Sequence, residues 1–274
     1  MKFSKYQGCG NDFILIDGCK NDINIQSEEI NLLCNRHFGI GADGLIIIFP
    51  SQEADFFMDF YNSDGSKASM CGNGARCAVK FAFDNAYTPK QGSFIAGDGI
   101  HKYDILDNDQ IEISMSNVEN VEIYENVAFL NTGVLHYVKL VDLDLEKTVK
   151  NNEKQIVSKL KEEAQKIRHE KDTNVSFVDI NKYLLTYERG VEDFTLSCGT
   201  ATVAATIMLD VLKITKNETK NEINTTGGSL KVKFDKKNNK YKNIKLIGPA
   251  IKIFDGVCFL LFLIFQHFIY ICFS

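Results

Sequence analysis

The 274-residue chain has no tryptophan and three prolines, scarcities that by themselves decide nothing about function. Other absences exclude more. It lacks an excess of positive charge: 31 Lys and Arg stand against 36 Asp and Glu, a net charge of −5, so no basic field is available to hold a nucleic acid. Its eight cysteines include no C-x-x-C pair, which removes the usual zinc and dithiol signatures. There is no P-loop and no G-x-G-x-x-G after a strand, which argues against a nucleotide-phosphate enzyme. Residues Met1–Phe13 show no charged segment followed by an apolar one, so no secretory signal is read there. A cytoplasmic protein with free thiols is the expectation.

What is present is a globular composition, 45% hydrophobic and 24% charged, in a chain long enough for two domains. One apolar run stands out, VCFLLFLIFQHFIYICF from Val257 to Phe273, broken by Gln266 and His267. As a helix it spans about 26 Å, short of a hydrocarbon core of about 30 Å. Three readings of this tail stay open: a frameshift or read-through product, an extra strand or helix packed on the protein or across a dimer, or a membrane anchor. The polar pair near its middle argues against a full span.

Along the chain, Phe3–Asp17 reads as two strands joined by a Gly8/Gly10 turn, and Ser27–Phe38 as a helix with Ser27 as its N-cap and Gly39 as its stop. Leu45–Phe49 and Ala54–Tyr61 read as strands, Gly72–Asn85 as a helix, and Phe94–Met115 as short strands. The second half follows the same plan. Val127–Leu143 is strand-like, Asn152–Arg168 a polar helix, Val175–Ile180 and Tyr183–Arg189 strands, and Gly199–Leu212 a helix. Ser229–Phe234 and Asn243–Ile247 are late strands. In each half a polar turn leads to Cys-Gly at the start of an Ala-containing helix: Cys71-Gly72-Asn73-Gly74-Ala75-Arg76 and Cys198-Gly199-Thr200-Ala201-Thr202-Val203. This weak duplication predicts two similar domains facing a shared cleft, with a boundary in the polar stretch Ser116–Glu125.

Cys-Gly at a helix start has a chemical meaning. The positive end of the helix dipole favours a thiolate, glycine lets a ligand approach the backbone, and the first N–H groups can receive a carboxylate. Two such units suit inversion of an amino acid's α-carbon. One thiolate removes the proton and an opposed thiol returns one, while the helix termini stabilise charge moving onto the carboxylate. Thiols near ~8.5, lowered by the helices, lie close to working pH. Cys9, Cys19, Cys34 and Cys77, and Cys258 and Cys272 in the tail, read instead as small buried hydrophobes.

The stretches Gly8-Cys9-Gly10-Asn11-Asp12-Phe13, Arg36 through Gly44, Tyr61-Asn62-Ser63-Asp64-Gly65-Ser66, Met70 through Cys77, Asn174-Val175, and Glu188-Arg189-Gly190 through Cys198-Gly199-Thr200 resemble the diaminopimelate epimerases. The resemblance runs from Met1 to about Gly256. It implies an α+β fold of two pseudo-symmetric domains, each a curved, mostly antiparallel sheet around a central helix, with the active site in the cleft between them. The expected domains are 1–117, to which a final strand at about 248–256 returns, and 118–247, with 257–274 as an atypical tail. It implies interconversion of LL- and meso-diaminopimelate, in lysine and peptidoglycan precursor synthesis, without pyridoxal phosphate, metal or other cofactor, in a homodimer that binds no nucleic acid. By position, Cys71 and Cys198 match the catalytic pair. Gly72, Asn73, Gly199 and Thr200 match the carboxylate site; Asn11, Asn62, Asn174, Glu188 and Arg189 match substrate contacts; and His136 matches a histidine near the active site. The residue types suit a substrate with two carboxylates and two ammonium groups: a forked Arg189, an accepting Glu188, and amides that donate and accept.

Three departures from the pattern stand out. Val134-Leu135 precedes His136 where a proline, and in some members an asparagine contact, is usual. The Arg168–Thr173 loop is short, and the tail is foreign. Two other readings remain: a related cysteine-pair enzyme acting on proline or 4-hydroxyproline, and a binding protein that kept the fold without turnover.

Overall fold

The computed structural model of the chain describes residues 1–20, 23–215, 221–263 and 266–273, and from Phe259 onward the backbone alone. The chain separates into two compact units, Met1–Ile113 with Gly248–Ser274, and Ser114–Ile247.

In the first unit, β1 (Lys2–Gly8) and β2 (Asn11–Asp17) form a hairpin, and α1 (Ser27–Cys34) leads to β3 (Gly44–Phe49), parallel to β2. β4 (Phe56–Asn62) returns antiparallel to β3, with the short β5 (Lys67–Ala68) at its end. After α2 (Gly72–Asp84), β6 (Gln91–Ala96) lies parallel to β4 and continues antiparallel into β7 (Gly99–Ile105) and β8 (Gln110–Ser114).

The second unit repeats these pairings. β9 (Val121–Tyr124) flanks β10 (Val127–Asn131), which forms a hairpin with β11 (Leu135–Leu140). The helices α3 (Leu145–Lys150) and α4 (Lys154–Lys171) cross to β12 (Asn174–Val178), parallel to β11. β13 (Tyr183–Glu188) returns antiparallel, carrying the short β14 (Asp193–Thr195). α5 (Gly199–Val211) precedes β15 (Asn221–Thr225), which is parallel to β13, and then come the antiparallel β16 (Gly228–Lys237) and β17 (Lys240–Pro249). The chain then re-enters the first unit as β18 (Ile251–Leu263), antiparallel to β1 as β9 is to β10. Each unit is thus a mixed, mainly antiparallel sheet whose two parallel steps follow helical crossovers.

The sheets curl around α2 and α5, which are buried along most of their length; α5 offers no charged side chain before Asp210, and the polar Asn73 and Arg76 of α2 are buried with hydrogen-bond partners. Along α2, Gly74, Ala75, Ala78 and Ala82 are buried, and a Cβ on Gly74 would sit 3.1 Å from Ile46 Cδ1. In α5 the buried Thr202 and Thr206 hydroxyls donate to the carbonyls of Cys198 and Thr202, each at 2.8 Å, so no polar atom there is stranded. Outside the central helices, Ile30, Leu33 and Cys34 of α1 close one core over Ile14, Ile16 and Leu45. Leu160 and Ala164 of α4 close another over Val175, Phe177 and Tyr187.

Several sequence expectations need correction. Gln26, not Ser27, caps α1: its backbone N–H donates to Glu29 in a capping box, and the helix ends at Cys34 rather than Phe38. Arg168–Lys171 is not loop but the last turn of α4, which stops at left-handed Asp172 (φ 49°). The stretch Ser116–Glu125, read from its polarity as a boundary, holds secondary structure of its own. It contains β9, and Val118 bonds reciprocally with Tyr241 inside the second unit. The described part of the apolar tail is strand, one of the readings the sequence left open. β19 (Gln266–Phe273) folds back antiparallel on β18, and the backbones of Met1 and Cys258 exchange hydrogen bonds. Among the described residues no helix is long and apolar enough to cross a membrane. The Cys272 side chain lies outside the described residues.

Candidate active site

Cys71 and Cys198 are the N-caps of α2 and α5, both helices of 13 residues. Their backbones are nearly superposable, with φ −139° and ψ 123° at Cys71 and φ −129° and ψ 119° at Cys198. Neither side chain makes a capping hydrogen bond to its own helix. The first helical rungs are Ala75 N–H to Cys71 O at 2.7 Å and Thr202 N–H to Cys198 O at 3.0 Å. The N–H groups of Gly72, Asn73 and Gly74, and of Gly199, Thr200 and Ala201, therefore precede the helical ladder, where an anion is favoured.

In the first unit Asn11, Cys71, Gly72 and Asn73 come together. Asn11 Oδ1 accepts from Cys71 Sγ at 3.7 Å and from Asn73 Nδ2 at 3.4 Å. Its own amide donates to Asp43 Oδ2 at 2.7 Å. Asp43 in turn is held by Arg36, which also binds Asp12. Asn62 ends β4 opposite Gly44, and its amide donates instead to Ser66 Oγ at 3.1 Å within the Asn62–Ser66 turn.

In the second unit Cys198 Sγ and Thr200 Oγ1 are 3.4 Å apart, and the buried Thr132 hydroxyl donates to Thr200 O at 3.0 Å. Asn174 opens β12 and accepts the Arg189 backbone N–H at 2.8 Å. The Glu188 carboxylate accepts the Thr195 hydroxyl, and the exposed Arg189 guanidinium reaches Asp172 at 3.0 Å. His136 pairs in register with Asn174 and is fully buried. Neither of its ring nitrogens has a hydrogen-bond partner among the described residues. Burial pushes its pKa down to about 3, so the ring is neutral at ordinary pH.

The repeated pairing gives each residue a counterpart. Phe13 pairs with Gly44 where His136 pairs with Asn174, so Asn11 and Val134, two residues earlier, hold matching places. Counting from the cysteines, Asn73 matches Thr200 and Arg76 matches Val203. The polar cluster at Asn11 and Arg76 therefore has no twin in the second unit. Sequence reasoning missed Asp43, Arg76, Thr132 and Asp172 as members of these clusters. Asp43 and Arg76 lie within the motif stretches, but nothing local said what they touch. Burial pushes the thiols of Cys9, Cys34, Cys77 and Cys258 up, Cys34 to about 12, which fits a packing role.

The family model described as diaminopimelate epimerase matches residues 3–121 and 128–253. The chain belongs to the diaminopimelate epimerase family. A diaminopimelate epimerase of Flavobacterium psychrophilum is 43% identical over 93% of this chain and 99% of its own length. One from Campylobacter lari is 42% identical over 73% and 78%. Among solved structures, a phenazine biosynthesis protein of the PhzF family from Bacillus anthracis covers 93% of this chain and 97% of its own at a TM-score of 0.68 and 12% identity. A hydroxyproline epimerase from Agrobacterium vitis covers 93% and 91% at a TM-score of 0.63 and 14% identity. These distant likenesses speak for the fold. Family membership makes the chain an isomerase of the epimerase kind.

Proposed function

We propose that this protein interconverts LL- and meso-diaminopimelate by a two-base reaction in which Cys71 and Cys198 are the acid–base pair. The observation that carries this reading is the repeated N-cap cysteine followed by glycine, in a chain of the diaminopimelate epimerase family. The reacting carboxylate sits on the N–H groups at the starts of α2 and α5, where helix dipoles favour its charge. A thiolate takes the α-proton, and the electron pair left on carbon spreads into the carboxylate that those N–H groups hold. The other thiol gives its proton to the opposite face. One thiol and one thiolate exchange places, and nothing is oxidised or reduced.

The polar neighbours support an assignment of the resting forms. Cys71 donates to a carbonyl oxygen, an arrangement that favours the thiol. Cys198 has a hydroxyl beside it, which can donate to a thiolate. Cys198 is thus the resting base and Cys71 the resting acid. Arg189, Glu188, Asn174 and Asn62 bind the second amino-acid end of the substrate, and neutral His136 supports Asn174 from the neighbouring strand. Incubation of the purified protein with LL-diaminopimelate should yield the meso isomer. Racemisation of proline or epimerisation of 4-hydroxyproline with diaminopimelate untouched would overturn the substrate assignment.

A further inference from the structure

Arg76 is fully buried, and three of its hydrogen bonds go to uncharged oxygens, Gly72 O at 3.1 Å, Asn73 Oδ1 at 2.6 Å and Pro249 O at 3.3 Å, while the Cys9 thiol also bonds it. A buried guanidinium is costly to desolvate, and here it is spent on an amide one turn away in the helix that starts at Cys71. An arginine can only donate, so the oxygen of Asn73 must face it and the Asn73 NH2 must face away. That NH2 meets Asn11 Oδ1. At the other end the Asp43 carboxylate can only accept, so it takes the Asn11 NH2. Two amides in series are thereby oriented by a cation at one end and an anion at the other. The outcome is fixed: a carbonyl oxygen, not an NH2, is turned toward the Cys71 sulfur. In the second unit Val134 and Val203 stand at the places of Asn11 and Arg76, so the device belongs to one cysteine alone.

We propose that Arg76 and Asp43 are positioning residues that set the polarity of the Asn73–Asn11 amide relay and so hold Cys71 as a hydrogen-donating thiol. The proposal rests on the reading of Cys71 as one of the reacting pair, but its test does not use turnover. In the full-length protein, the rate at which iodoacetamide alkylates Cys71 is followed against pH by peptide mapping, in Arg76→Lys and Asp43→Asn and in the same changes made together with Asn11→Ala. Arg76→Lys keeps the charge and loses the fork. Releasing either end removes one of the two constraints on Asn11, so its NH2 turns to the sulfur part of the time and favours the thiolate. Alkylation at neutral pH should then rise about tenfold, the effect of one pKa unit. On the Asn11→Ala background neither change should have an effect, since the relay is already cut; such a cycle separates coupling from a direct charge effect. Unchanged reactivity in the single variants, or effects of full size that persist without Asn11, would overturn the proposal. Should Arg76→Lys fail to fold, the Asp43 cycle decides alone, because the Asp43 side chain is 39% exposed and its replacement buries nothing.

Discussion

At the scale of single residues, the two cysteines share a backbone setting and differ in what faces the sulfur: an amide oxygen at Cys71, a hydroxyl at Cys198. Replacing either by serine should lower epimerisation by at least about a hundredfold, the lower end of what positioned acids and bases contribute. Circular dichroism checks that the fold is kept, and turnover undiminished by both substitutions would remove the two-base mechanism. His136 makes a separate prediction. Its folded pKa of about 3 lies below an unfolded value near 6.5, so the native state loses stability relative to the unfolded one as pH falls from about 6.5 toward 3. His136→Phe should flatten that part of the acid limb in denaturant titrations. The cysteines were legible in the sequence because Cys-Gly stands at the start of a helical stretch twice, once in each half. Asp43 and Arg76 were not, because their role depends on which atoms of Asn73 and Asn11 they meet across the fold.

At the scale of elements, α2 and α5 were legible as Ala-containing stretches behind the two cysteines, and most strands by their apolar runs. What escaped had a physical reason. The alternation of β15 buries Asn221 and Thr225, polar residues that composition assigns to the surface, and β9 is partly exposed on both faces, leaving no pattern to read. Turn geometry yields an element-scale prediction. Gly65, in the turn that follows Asn62, has φ +85°, and a Cβ there would lie 2.2 Å from Ser27 O. Gly65→Ala should cost about 1–3 kcal/mol, read from the denaturation midpoint. Because the turn carries Asn62, KM for the substrate should rise more than kcat falls.

At the scale of the whole molecule, the repeated pairing order shows why one short cysteine motif appears twice. The return of β18 to β1 then ties the chain's end to its beginning. Cys258 belongs to the same buried cluster as Phe3 and Ile14, and its backbone bonds to Met1. Truncation after Cys258 should leave the melting temperature of the protein little changed, whereas removal from Ile251 onward strips a partner strand from β1 and should abolish cooperative melting. The tail was the least legible segment, since an apolar run by itself does not distinguish strand from helix. Acid adds a further expectation. Burial raises the Asp12 carboxyl pKa, but hydrogen bonds and charges from Arg36 and Lys5 outweigh it and bring the value down to about 2. Its contribution is therefore complete above about pH 4 and is lost as pH falls toward 2. Asp12→Asn should accordingly remove part of the stability seen at neutral pH and leave stability near pH 2 unchanged.

The measurement that bears most directly on the central claim is turnover of LL-diaminopimelate in deuterated water, sampled at low conversion. Two cysteines acting as separate base and acid predict meso product that carries solvent deuterium at the inverted carbon, while the recovered LL substrate still holds its original hydrogen. Deuterium appearing equally in substrate and product from the first samples would mean a single base serving both faces, and meso product without deuterium would mean that no solvent-exchanging thiol delivers the proton. Either result would contradict the account.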